Sequence, residues 1–205
     1  MDALATSVGS GIPALAPEDS ARADLYDLLA ALLRAAPDAA MLRALAALEG
    51  DPSPIGRAVD ALARIAGSST ESAIAREYHD LFIGVGRGEL VPYGSYYLTG
   101  FLNEKPLGLL RRDLARLGIE RAEGVREPED HIAALFEVMA GLIRGALGAG
   151  EPREAAELFA AHIEPWAGHF FSDLEGAKGS TLYAPVGTLG RELVAVEAEA
   201  FAMER

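Results

Sequence analysis

"SSTESAIAREYHDLFIGVGRG", Ser68 to Gly88, decides between two folds. A glycine loop that follows a strand and opens a helix belongs to a dinucleotide-binding α/β domain. Here Ile74, Tyr78, Leu81 and Phe82 precede the loop at three-and-four spacing, which is the period of a helix. Ser68-Ser69-Thr70-Glu71 has the S-x-x-E form of a capping box that would start that helix. The glycines at 84, 86 and 88 give G-x-G-x-G rather than G-x-G-x-x-G, and no lysine follows them as a Walker loop requires. The loop therefore reads as a connection between two helices.

The rest of the chain agrees. Alanine and leucine dominate its 205 residues, and β-branched and aromatic residues are sparse. Residues 1–17 read as a flexible leader rich in Gly, Ser, Ala and Pro, and 18–205 as one helical domain. Asp19 or Ser20 is placed to cap a first helix carrying Leu25, Leu28, Leu29, Leu32 and Leu33, which Pro37 ends. Further helices are expected over 39–48, 55–66, 95–102 and 106–117, the last stopped by Gly118. Pro128 opens a long apolar helix with Glu127, Glu129 and Asp130 near its positive end. Helices over 152–163 and 165–174 follow, then one from Leu182 to the end, weakened in its middle by Gly187 and Gly190. No strand alternation and no repeat stand out. The expected architecture is an all-α bundle of about ten helices with a glycine-rich loop between two of them.

Charge and composition narrow the function. Eighteen Lys and Arg against 31 Asp and Glu give a formal net charge of −13. Such a surface repels nucleic acid and attracts a basic partner. Without cysteine there is no disulfide, thiolate nucleophile or iron–sulfur ligand. The start of the chain lacks the Lys or Arg of a secretory signal, and no apolar run is long enough to span a membrane, so a cytoplasmic protein without stable membrane insertion is expected. Four histidines (His79, His131, His162, His169) make no H-x-x-x-H or H-E-x-x-H pair, so no metal site and no cofactor is expected.

Two clusters remain. Tyr78, Phe82, Tyr93, Tyr96, Tyr97 and Phe101 crowd one stretch of an aromatic-poor chain. Tyr93, between Pro92 and Gly94, suits a half-exposed position where a ring supplies area and a hydroxyl a hydrogen bond. Ser95 reads as an N-cap rather than a nucleophile. The second cluster is "REPEDH", Arg126 to His131. Adjacent residues on a helix do not face each other, so Asp130 and His131 read as a cap and a packing residue rather than a catalytic pair.

Together, E-Y-x-x-L-F, the glycine loop, P-Y-G-S-x-Y-L, E-P-E-D-H and H-I-x-P-W closely resemble the TorD/DmsD family of redox enzyme maturation chaperones, related to the NarJ chaperones. The similarity runs from about Ala23 to the last helix and is tightest over 77–139. The resemblance implies an all-helical, non-enzymatic cytoplasmic chaperone. It would bind the twin-arginine signal peptide, and sometimes the mature part, of the catalytic subunit of a molybdenum-cofactor oxidoreductase, and delay export until the cofactor is inserted. By the same resemblance the peptide-binding positions are Tyr78, Leu81 and Phe82, then Pro92, Tyr93, Gly94 and Ser95, and the acid–histidine pair Asp130 and His131 within Glu127–His131. Val85 stands where relatives often have proline. In chemical terms, Glu127, Glu129 or Asp130 would take the arginines by charge-assisted bonds, and Tyr78, Leu81, Phe82 and Tyr93 would hold the apolar stretch. The glycine loop would form one wall of the groove. Three alternatives stay open: a nucleotide-binding or hydrolysing protein using the glycine loop with Asp130 and His131, a permanent accessory subunit of the oxidoreductase, and a homodimer formed by exchange of halves.

Overall fold

The computed structural model describes residues 15–122 and 124–203. Among them the regular structure consists of ten α-helices and one π-helical turn, with a single isolated antiparallel bridge between Tyr93 and His131 in place of any strand. This is the expected all-α architecture. Most of the expected leader, positions 1–14, lies outside the described residues, and Pro17 already belongs to α1 (Pro17–Arg34). Proline at the first position with Glu18 and Asp19 behind it starts that helix, so neither Asp19 nor Ser20 is its cap.

The next helices take their starts from short polar side chains. Asp38 accepts the Met41 N–H at 2.8 Å to begin α2 (Ala39–Ala46). Ser53 accepts the Gly56 N–H at 3.0 Å to begin α3 (Pro54–Ser68). Thr70 accepts the Ala73 N–H at 3.3 Å to begin α4 (Glu71–Tyr78). Ser68 is therefore the end of α3, not the cap of α4, and Glu71 instead accepts the Ala39 N–H of α2 at 3.2 Å. The π turn His79–Ile83 prolongs α4. Then come α5 (Gly94–Thr99), α6 (Lys105–Arg116), α7 (Ile132–Ile143), α8 (Pro152–His162), α9 (Ala167–Gly176) and α10 (Tyr183–Met203).

Two long helix pairs organise the core: α1 lies along α7, and α9 along α10. Tyr26 meets Phe136 edge-on at 4.9 Å in the first pair. In the second, a Cβ at Gly190 would overlap the ring of Phe171, and one at Gly187 would stand 2.5 Å from the Glu175 nitrogen. These glycines are the contact surface between α9 and α10 and do not interrupt α10. The buried carboxylate of Glu197 on α10 is held by both arms of Arg22 at 2.8 Å and by the Tyr26 hydroxyl at 3.3 Å. A buried acid satisfied in this way ties α10 to α1 without an unpaired charge.

Candidate functional site

The site begins at the end of α4. Tyr78 turns its hydroxyl to the C-terminus of α1, donating to the Arg34 carbonyl at 2.9 Å and lying 3.3 Å from that of Leu33. It thus satisfies carbonyls that the end of a helix leaves without partners. The following π turn closes with the Gly84 N–H on the His79 carbonyl at 2.7 Å. The wider turn rotates Phe82 against Tyr78, with centroids 4.9 Å apart, and against Tyr183 at 5.4 Å. Gly84 then takes φ of +61°, where a Cβ would strike the Arg87 carbonyl. The amides of Gly84, Glu89 and Leu90 are bonded to the carbonyls of His79, Asp80 and Leu81.

The second cluster joins the first through backbone. Ile132 N–H donates to the Pro92 carbonyl and Gly94 N–H to the Asp130 carbonyl, each at 2.9 Å. This is the Tyr93–His131 bridge, and it clamps the Pro92–Ser95 turn to the Glu127–His131 turn. The Asp130 side chain, 3% exposed, accepts the Ser95 N–H at 2.7 Å. Asp130 therefore supplies the N-terminal acceptor of α5 from 35 residues away. Ser95 is not the cap expected from sequence: it is the second residue of α5, and its hydroxyl is buried. Nor does Pro128 open α7. The helix starts at Ile132 because His131 caps it, its Nδ1 accepting the Ala133 N–H at 3.1 Å.

The rings of Tyr93 and His131 meet edge-on at 5.0 Å. The Tyr93 hydroxyl donates to Glu127, whose carboxylate is exposed. Burial, then the bond to Glu127 and its charge, hold the Tyr93 phenol above its usual range. Burial raises the Tyr78 phenol too, and the charge of Glu127 adds to that rise, so both tyrosines lie within range of one carboxylate. Burial lowers the His131 pKa to about 4, against the opposing pull of Glu127. His131 is thus neutral near pH 7, in keeping with a ring nitrogen that must accept a backbone hydrogen bond.

The predicted residues therefore divide. Tyr78, Phe82, Tyr93, Glu127 and His131 form one partly exposed aromatic face with an acid on it. Leu81, Pro92, Gly94, Ser95 and Asp130 are buried beneath and hold that face in place. Glu129 is committed elsewhere, 2.8 Å from Arg111 and 3.8 Å from Arg121. Burial alone would raise its carboxyl, but these partners outweigh it and hold the pKa below the usual value.

Sequence reasoning missed two supports. Trp166 lies under the Pro92–Ser95 turn: a Cβ on Gly94 would come within 3.0 Å of its Nε1, which donates to the His162 carbonyl at 2.7 Å. That contact gives the H-I-x-P-W motif a purpose. Arg34 and Glu137 form a second charged pair beside the face, at 2.6 Å. The signal for Glu137 was its isolation, a lone acid in the otherwise apolar "IAALFEVMAGLI" of α7. Among the described residues no group of three or more His, Asp or Glu is placed to hold a metal, and no helix is long and apolar enough to cross a membrane.

Fold and site together define the class: an all-helical domain in which a proline–aromatic–glycine–serine turn is clamped to an acid–histidine turn. The pattern of the nitrate reductase delta subunit family matches residues 48–172, more than half of the sequence, and the chain belongs to that family. It is similar to the chaperone protein TorD of Vibrio cholerae, with 32% identity over 105 residues covering 50% of this chain and 46% of TorD. The TorD of Vibrio parahaemolyticus is 30% identical over 88 residues, 42% of this chain and 41% of TorD. The Tat proofreading chaperone DmsD of Salmonella typhi is 29% identical over 138 residues, 64% of this chain and 65% of DmsD. The matched part spans less than half of these TorD chains.

Proposed function

We propose that this protein is a cytoplasmic chaperone that binds the twin-arginine signal peptide of a molybdenum-cofactor oxidoreductase and delays its export until the cofactor is inserted. The observation that carries the reading is the Tyr93–Glu127 pair on the face shared with Tyr78, Phe82 and neutral His131. Half-buried rings offer an apolar stretch its contact, and an exposed carboxylate offers an arginine its acceptor. Of the three acids named for that role, Glu127 is the one left available, since Asp130 is buried and Glu129 is paired. A net charge of −13 favours encounter with a positively charged peptide. The names of the TorD and DmsD relatives support the same reading. The glycine loop lends no support to a nucleotide cradle: it follows a helix and a π turn rather than a strand, and its G-x-G-x-G spacing is not the dinucleotide fingerprint.

Binding of a fluorescent peptide with two arginines followed by an apolar stretch tests this by anisotropy. Tyr93→Ala and Glu127→Ala are each expected to weaken it about tenfold or more, given roughly 1.5–3 kcal/mol for a buried ring or a charge-assisted bond. Unchanged affinity in both proteins would remove the assignment of this face.

A further inference from the structure

Two arginines call for two acceptors, and Glu127 is one. Residues 127–143 contain four acids: Glu127, Glu129, Asp130 and Glu137. Asp130 is buried on the Ser95 amide, and Glu129 lies between Arg111 and Arg121. Glu137 is half exposed, and its partner is an arginine of this same chain. Arg34, the last residue of α1, presents its fork to Glu137 with Nε at 2.7 Å from one oxygen and Nη2 at 2.6 Å from the other. That is the geometry in which a carboxylate recognises guanidinium and not ammonium.

The pair belongs to the aromatic face. The Arg34 carbonyl accepts the Tyr78 hydroxyl, and the Arg34 charge is felt at both Tyr78 and His131. The two side chains are 43% and 50% exposed, so each can exchange its partner without opening the core. An exposed ion pair of this kind is held weakly, by no more than about a fivefold preference.

We propose that Arg34 is an internal substitute for one arginine of the partner peptide: it occupies Glu137 in the free protein, the incoming guanidinium displaces it, and Glu127 receives the other arginine. The inference rests on reading this face as a signal-peptide groove. It makes Glu137 a peptide-binding residue and Arg34 a competitor that screens out peptides unable to offer a fork. A peptide with lysine at that position exchanges a two-pronged partner for a point charge and displaces Arg34 less readily, by up to about fivefold.

Anisotropy titrations of the full chain with Arg-Arg, Lys-Arg, Arg-Lys and Lys-Lys versions of one peptide test it. Glu137→Gln is expected to weaken the Arg-Arg peptide about tenfold and to narrow the gap between it and one of the mixed peptides. Arg34→Ala is expected to strengthen the Arg-Arg peptide by up to about fivefold, and to give no gain once Glu137→Gln is present. Circular dichroism and thermal midpoints confirm that each variant is folded, and Glu137→Asp, which keeps the charge on a shorter arm, is expected to lose less than Glu137→Gln. If the native protein binds the Arg-Arg peptide but neither Glu137→Gln nor Arg34→Ala changes the affinity, the pair is a surface brace and this inference falls while the groove stands. Weaker binding by Arg34→Ala also overturns it. If the native protein binds none of the peptides, the groove assignment itself falls, and this inference with it.

Discussion

Asp130 and Glu127 are three positions apart and do different work. Asp130 is buried, and its carboxyl holds the Ser95 amide at the start of α5. Asp130→Ala leaves that buried N–H without an acceptor and is expected to cost roughly 1–3 kcal/mol in urea unfolding, with Asp130→Asn costing less because its amide oxygen still accepts. Glu127→Ala touches an exposed group and is expected to leave stability within about 0.5 kcal/mol. Peptide affinity lost in an Asp130 variant therefore reports a shifted turn, and affinity lost in a Glu127 variant reports a missing contact. Sequence spacing placed the two acids in one turn and offered both as arginine acceptors, and could not separate these roles. Proline at 128 mimics a helix start, whereas the helix waits for His131, whose ring caps it.

At the scale of elements, the apolar stripes of α1 and α7 could be read directly, and the two helices lie along each other. Three features could not. The π turn at 79–83 adds a residue to a helical ladder without any change in apolar spacing. The cap of α5 comes from Asp130, far along the chain, so no local S-x-x-E pattern announces it. Gly187 and Gly190 looked like weak points in α10, yet they let α9 approach closely. Helix propensity alone would favour Gly190→Ala by up to about 1 kcal/mol. The overlap of its new Cβ with Phe171 reverses the sign, and a net loss of roughly 1–3 kcal/mol is expected in the unfolding midpoint.

For the whole molecule, acid stability follows from His131. Its folded pKa is about 4, lowered chiefly by burial, against about 6.5 for an unfolded histidine. Between those values the unfolded chain takes up a proton that the folded protein refuses, so stability falls as pH drops from about 6.5 to about 4 and no further on this account. The contribution is up to roughly 3 kcal/mol. Urea midpoints from pH 7 to pH 4 measure it, and His131→Asn, which keeps a capping acceptor, is expected to flatten the profile by that amount.

The backbone clamp between Pro92–Gly94 and Asp130–Ile132 has a consequence for where the chain can change length. It closes the chain into a ring at its base, and α5 and α6 fill that ring from within, with Leu107, Leu110 and Leu114 in the core and Tyr97 against Trp166. An insertion in the exposed connection at 100–104 is expected to leave Tyr93 against His131, whereas shortening α6 removes core side chains and is expected to lower the unfolding midpoint.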